Sequence, residues 1–237
     1  MLSIITVVIV TYNADKTLQD CLNSIYQQYS SSIEIIVIDG NSTDKSKQIL
    51  QKNNARISFW LSENDEGIYE AMNKSLKYVK TPWVIFLGAD DTLMPDFSAI
   101  LTELKDPSVI YYSNVIYKNK KCSGFISPYF QAKSGLFHQS IIYPTAAFEK
   151  RRYDTRYKVA ADYALNIHLY GDDHYNFQYL DYTIAKYNDT GISSLVVDKA
   201  FEQDKSKLIL KNFGIKIWLR YLFRRFKAKF ISNNHDL

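Results

Sequence analysis

The stretch VIFLGADDTLMP, residues 84–95, opens as a buried strand and closes on two adjacent carboxylates. Val84, Ile85, Phe86 and Leu87 form an unbroken apolar run without polar alternation, the pattern of a strand covered on both faces. Gly88 and Ala89 end the run, and Asp90 and Asp91 then stand where like charges repel. Taken alone, such a pair reads as a solvated turn. The reading changes because the same arrangement recurs upstream.

Residues 3–10 are rich in β-branched residues, IEIIVID (33–39) is a second continuous apolar run, ISFWL (57–61) a third and WVIFLG (83–88) a fourth. Helical spacing separates them. Leu18, Cys21, Leu22, Ile25 and Tyr29 mark a first helix. Ser42, Thr43 and Asp44 are helix starters before Ile49 and Leu50, and Ile68, Met72 and Leu76 mark a third helix. Buried strands alternating with helices predict an α/β fold, a parallel sheet covered on both faces. In such a sheet the strand ends share one edge, where ligands bind. Thr11, Tyr12 and Asn13 follow the first strand, Asp39 closes the second, Glu63 and Asp65 follow the third, and Asp90 and Asp91 the fourth. Four strands ending in polar or acidic groups on one rim point to a site.

The second half is less regular. Residues 109–117 read as one or two strands, and 123–138 is a Gly- and Ser-containing stretch placed to cover a site. Residues 156–170 carry Val159, Tyr163 and Ile167 at helical spacing, and 177–188 alternate like a strand. Asp172 and Asp173, after a helix and a Gly, read as a connecting turn.

With 237 residues, 46% of them hydrophobic, the chain is long enough for one good-sized core. Its formal charge of +4 is mild, but Lys and Arg crowd the last thirty or so residues. Residues 1–204 are expected to form one domain and 205–237 a basic amphipathic helical extension. Cys21 and Cys122, the two cysteines, make neither a disulfide framework nor a metal site and fit a reducing compartment. The apolar N-terminus lacks a basic flank and a cleavage site, so it reads as the first strand rather than a signal peptide. No stretch approaches the roughly 20 apolar residues of a spanning helix. A cytoplasmic protein, peripheral at the inner face of a cell membrane, is expected.

Carboxylates gathered on a rim with few cations invite a divalent metal, and hard oxygen ligands favour Mg2+ or Mn2+. Zinc is disfavoured because His138, His168, His174 and His235 are scattered. Magnesium held by one or two carboxylates completes its shell with water and phosphate, so the partner is expected to be phosphorylated. TYNADKT after the first strand lacks Gly-x-Gly-x-x-Gly, and no Gly-x-x-x-x-Gly-Lys-Ser/Thr occurs. A nicotinamide dehydrogenase and a P-loop NTPase are thereby disfavoured.

VVIVTYN, IIVIDGNSTDKS, SENDEGIYEAMNKSL and FLGADDTL, in that order, resemble the inverting nucleotide-sugar glycosyltransferases of family 2, with the GT-A fold. FHQSIIY and YKVAADYAL resemble that family's acceptor-side region, so the likeness covers about the first 170 residues. It implies a GT-A-like, Rossmann-like, mostly parallel sheet flanked by helices. It also implies that Thr11 and Tyr12 lie beside the nucleotide, that Asp39 accepts a hydrogen bond from the base, and that Asp65 faces the nucleoside. Asp90 and Asp91 resemble the family's Asp-x-Asp element, with Asp91 expected as main metal ligand and Asp90 as helper. The family often shows Asp-x-Asp-Asp, and Gly88 stands here in place of its first acid. Asn73 and Lys74 sit at the pocket mouth, Lys74 either meeting a phosphate or lying solvated on its helix. Asp162, which alone reads as an exposed helix residue, matches the catalytic aspartate, and His138 and Gln139 are expected to contact the acceptor; His168 is expected to pack on its helix.

The expected reaction is metal-dependent inverting transfer from a nucleoside diphosphate sugar, expected to be a UDP-sugar, to a saccharide or lipid-linked acceptor in bacterial surface polysaccharide synthesis. A nucleotidyltransferase and a non-catalytic nucleotide-binding scaffold are the alternatives. In the tail, Ile215, Trp218, Leu219, Leu222 and Phe226 fall on one helical stripe beside Lys216, Arg220, Arg224 and Lys227. This helix suits an anionic membrane surface, or docking on the domain or on a second subunit; membrane contact is favoured. Nucleic acid is disfavoured for want of a recognition module, and nothing fixes an oligomeric state.

Overall fold

A computed structural model of the chain describes residues 3–122, 124–188 and 196–233. Ser123, His235 and the last four residues of the expected tail lie outside the described residues.

β1 (Ile5–Thr11) is buried at every position because it is central in the sheet, paired in parallel with β2 (Ile33–Asp39) and β4 (Trp83–Gly88), and covered on both faces. β2 continues in parallel to β3 (Phe59–Ser62). Helices α1 (Leu18–Tyr26), α2 (Ser46–Lys52) and α3 (Ile68–Ser75) make the crossovers that parallel pairing requires. Tyr29, expected on the first helix, stands beyond its end and is exposed.

Past β4 the sheet turns mixed. β5 (Thr92–Leu93), α4 (Asp96–Ile100), β6 (Val109–Tyr117), β7 (Lys120–Cys122), α5 (Pro128–Ser134), β8 (Ile141–Pro144), α6 (Ala161–Tyr170) and β9 (Asn176–Tyr187) follow. The strand order is β3-β2-β1-β4-β8-β6-β9-β5, with β7 beside β6. β8 runs antiparallel to both β4 and β6, whereas β9 runs parallel to β6. The parallel sheet expected from the sequence is therefore its first half.

Alternation along the strands sends side chains to two cores. Val7, Ile9, Ile35, Val37, Ile85 and Leu87 meet α1 and α4. Val8, Val10, Ile36, Ile38, Val84 and Phe86 meet α3, α5, α6 and the last helix, α7 (Lys199–Asn233). α7 breaks at Gly214, whose φ of 77° interrupts the helix. The expected boundary after residue 204 falls inside α7, and Phe201, Ile209 and Tyr221 are buried in the same core as the sheet.

Candidate active site

The register sets the rim. Thr11 lies opposite Asp39, Asp39 opposite Ser62, and Val10 opposite Gly88, so the ends of β1, β2, β3 and β4 form one edge. The acids at the strand ends predicted from the sequence gather there, in unequal surroundings.

Asp39 is fully buried. Its Oδ1 accepts from Ser42 Oγ at 2.5 Å, and its Oδ2 accepts from Ser42 N at 3.0 Å and Ser62 Oγ at 2.6 Å. Asp39 thus holds the β2–α2 turn, and Ser42 closes that turn instead of starting a helix. Asp65 packs over Gly40, where an added Cβ would stand 2.7 Å from Asp65 Oδ2 and would push that carboxylate aside. Burial raises the Asp65 carboxyl above its ordinary range, opposed by a hydrogen bond from Gly67 N. Beside them Thr11 Oγ1 is buried with no hydrogen-bond partner among the described residues, whereas Tyr12 is exposed. A buried hydroxyl without a partner is costly unless a ligand supplies one.

Asn73 and Lys74 are committed to the protein. Asn73 donates to Tyr153 O at 2.9 Å and accepts from Tyr153 N at 3.0 Å. Lys74 Nζ reaches Glu63 at 3.0 Å, Glu70 at 3.3 Å and Asn64 O at 2.8 Å, so its charge is met on its own helix and the β3–α3 loop.

Asp90 and Asp91 part company. Asp90 lines a cavity of about 340 Å³ together with Thr17, Asp20, Thr92, Lys118 and Lys186. Asp91 is 1% exposed. Its Oδ2 accepts from Gln139 Nε2 at 2.7 Å and Gly88 N at 3.2 Å, and its Oδ1 accepts from Asn188 N at 2.8 Å. Burial pushes the Asp91 carboxyl up to about 7, against the hydrogen bond from Asn188, and the Asp90 charge pushes the same way. Gly88 explains how both acids fit, because a Cβ there would stand 2.8 Å from Asp90 Oδ1 and 2.8 Å from Asp91 Oδ2. Among the described residues no group of three or more His, Cys, Asp or Glu side chains is gathered as a metal site. These two carboxylates are the candidates for a hard cation, in a donor set that fits one completed by phosphate and water.

Asp162 occupies the first turn of α6, where an acid suits the helix dipole. Its Oδ1 accepts from Tyr69 Oη at 2.6 Å, and its Oδ2 lies 3.6 Å from His138 Nδ1. Burial drives the Tyr69 phenol well above its ordinary range, which keeps it a donor. Burial also lowers the His138 imidazole, against the pull of Asp162, and among the described residues neither ring nitrogen has a hydrogen-bond partner. His138 and Gln139, expected to face the acceptor together, lie in one 3-10 turn and address different acids: His138 stands by Asp162 and Gln139 binds Asp91.

Tyr69 escaped the sequence reading. Its signal was a tyrosine three residues before Met72 on the buried face of α3, whose hydroxyl needs a polar partner. Asp172 accepts from His174 N and Arg151 in the turn after α6, in keeping with a connecting role.

The profile of Glycosyl transferase family 2 matches residues 6–168. A "PGL/p-HBAD biosynthesis glycosyltransferase" of Mycobacterium bovis is 31% identical over 209 residues, covering 83% of this chain and 81% of the relative. The Escherichia coli protein "UDP-Glc:alpha-D-GlcNAc-diphosphoundecaprenol beta-1,3-glucosyltransferase WfgD" is 26% identical over 130 residues, 53% of this chain and 51% of the relative. Residues 1–349 of S. aureus TarS in complex with UDP-GlcNAc superpose with a TM-score of 0.72 at 19% identity, covering 94% of this chain and 73% of that one. The chain spans 43% of a longer TarS structure. At that identity the likeness is one of fold.

Proposed function

The chain belongs to glycosyl transferase family 2, and from that premise we propose that it moves a sugar, with inversion, from a nucleoside diphosphate donor to a saccharide or lipid-linked acceptor of a bacterial surface glycan. The relatives' names, which include a glucosyltransferase using UDP-Glc and a lipid diphosphate acceptor, support a UDP-sugar and this acceptor class. The observation that carries the reading is the convergence on one rim of Thr11, Asp65, Asp90 and Asp91, with Asp162, bonded by Tyr69, joined to that rim through adjacent residues, His138 lying against Asp162 and Gln139 bonded to Asp91.

In this reading the base of the nucleotide meets Thr11 and half-buried Asp65 first, while Asp39 backs them by fixing the turn. In this proposal the roles expected for the acid pair are exchanged. Asp90 is the acid that faces the diphosphate, and Asp91, with both oxygens already accepting hydrogen bonds, is its buried support. Asp90, with Asp91 behind it, would hold Mg2+ or Mn2+, which when bound would neutralise the departing diphosphate. Asp162 takes the proton of the acceptor hydroxyl as that oxygen attacks the anomeric carbon. Tyr69, donating to Oδ1, leaves Oδ2 to receive the proton, and a neutral His138 beside Oδ2 does not quench it with a fixed cation.

The test is a thermal-shift screen of UDP, GDP and their sugars with and without manganese, followed by product analysis with the sugar that stabilises most. Release of nucleoside diphosphate and an inverted anomeric configuration are expected. Pyrophosphate as the product would identify a nucleotidyltransferase instead, and binding without turnover would identify a scaffold.

A further inference from the structure

The sequence placed the apolar residues of the C-terminal helix on a single stripe; the structure divides them between two. Ile217, Trp218 and Leu222 pack against the domain core and Tyr221 is buried in it. Ile215, Leu219, Phe223 and Phe226 are 60%, 53%, 70% and 70% exposed. Their spacing of i, i+4, i+8 and i+11 puts all four on one side of a helix with 3.6 residues per turn. A helix that has already buried one apolar face keeps a second in water only at a cost, and four large side chains in a row form a patch rather than scattered exposure.

Charge identifies what covers it. Lys216, Arg220, Arg224 and Lys227 run along one flank of the exposed stripe, and no acidic residue occurs between Asp204 and Asp236. Arg220 is anchored in place, with its guanidinium 4.0 Å above the Tyr129 ring of α5. A second copy of the chain laid on this face would oppose cation to cation. Nucleic acid would meet the charges but leave the aromatic stripe without a partner. A bilayer with anionic headgroups satisfies both, burying the apolar stripe below the headgroups while the Lys and Arg side chains reach phosphate. Among the described residues no helix is long and apolar enough to cross a membrane, so this helix would lie on it.

We infer that the exposed stripe Ile215, Leu219, Phe223 and Phe226, with its basic flank, docks the enzyme on the surface of an anionic lipid bilayer. The same helix holds the acceptor side of the site. Asp198, just before α7, accepts from Val159 N at 3.0 Å, and Lys205 donates to Lys133 O of α5 at 3.0 Å. Phe201 packs on Tyr163, the residue after Asp162, with ring centroids 4.9 Å apart. Docking through α7 therefore sets Asp162 at a fixed position relative to the membrane. That the bilayer carries the acceptor rests on the proposed transfer reaction; the docking does not.

The experiment is co-sedimentation of the full chain with vesicles of phosphatidylcholine alone, or of phosphatidylcholine and phosphatidylglycerol in equal amounts. Binding to the anionic vesicles and its release by salt are expected. Leu219→Ser with Phe223→Ser should lower partition by roughly tenfold or more through lost apolar area. Lys216→Gln, Arg224→Gln and Lys227→Gln should each lower it about fivefold. All five positions are exposed, so circular dichroism and melting should stay unchanged. A full chain left in the supernatant with anionic vesicles overturns the inference, as do variants that sediment like wild type. So does a dimer in light scattering that the Leu219→Ser, Phe223→Ser variant splits, which would assign the stripe to a second copy. Release of nucleoside diphosphate from the donor, measured on the same proteins without vesicles, reports separately on the transfer reading and should not change with these substitutions.

Discussion

Replacing Gly88 by alanine tests the construction of the acid pair. In an ordinary strand this change stabilises by about 0.5–1 kcal/mol, because glycine loses more chain entropy on folding. Here the new Cβ would stand 2.8 Å from Asp90 Oδ1 and from Asp91 Oδ2, closer than a carbon and a carboxylate oxygen can approach. Asp91 cannot yield cheaply, since its oxygens accept from Gln139, Gly88 N and Asn188 N. If its carboxylate swings away, the bond from Gln139 breaks and leaves a buried amide and a buried carboxylate short of partners. A hydrogen bond to a charged group is worth about 1.5–3 kcal/mol. Set against the entropic gain, the net expectation is a loss of about 1–2 kcal/mol, or roughly 2–8 °C in Tm for a domain of this size. Urea and thermal unfolding measure the stability, and release of nucleoside diphosphate measures the chemistry, where a fall of roughly tenfold or more is expected as both acids shift. A Gly88→Ala protein as stable and as active as the parent would refute the reasoning. Gly88→Asp, which writes the family's fuller acidic element into this chain, should be more damaging still, because a third carboxylate has no room beside the other two.

Asp162→Asn should abolish transfer while leaving donor-induced thermal stabilisation intact; equal loss of both would remove its role as base. Tyr69→Phe deletes the 2.6 Å bond to Asp162 and should lower kcat by roughly tenfold with little change in donor KM, which steady-state kinetics will separate. His138 has a folded pKa below its ordinary value, so the unfolded chain binds the extra proton first. Its contribution is therefore intact above about pH 6.5 and is lost as pH falls below that value. Urea midpoints of the wild type and of His138→Met between pH 7.5 and pH 5 should diverge accordingly, the variant being less sensitive to acid. Gln139→Ala should disturb Asp91, lowering stability by about 1–3 kcal/mol and weakening the manganese dependence of donor binding in a thermal-shift titration.

The first half of the fold was legible because its signals are local. Residues 35–38 and 83–87 are unbroken apolar runs, which a strand covered on both faces demands, and the acids at their ends follow from the sheet's single edge. The second half depends on pairing at long range. Nothing local in residues 141–144 says that β8 will run against β4 and β6. α5 did carry a local signal, with Ser127 accepting from Phe130 N as N-cap and Pro128 at the first position, and it went unread inside a Gly- and Ser-containing stretch. The site divides in the same way. Residue types and order point to the acids, whereas their surroundings, Asp91 buried under Gln139 and Asp162 gripped by Tyr69, come from segments 48 and 93 residues away. A helical projection of residues 215–226 found the apolar residues but could not tell which of them the domain would take, since that depends on where the Gly214 kink aims the helix.

The two acids that the proposal assigns to opposite sides of the reaction, Asp91 on the donor side and Asp162 on the acceptor side, are touched by neighbours in the chain, Gln139 and His138. Successive Cα atoms lie about 3.8 Å apart across a trans peptide, so the residue bonded to Asp91 and the residue lying against Asp162 are tied together by one peptide unit. Inserting a single residue between 138 and 139 is expected to put those two contacts out of step.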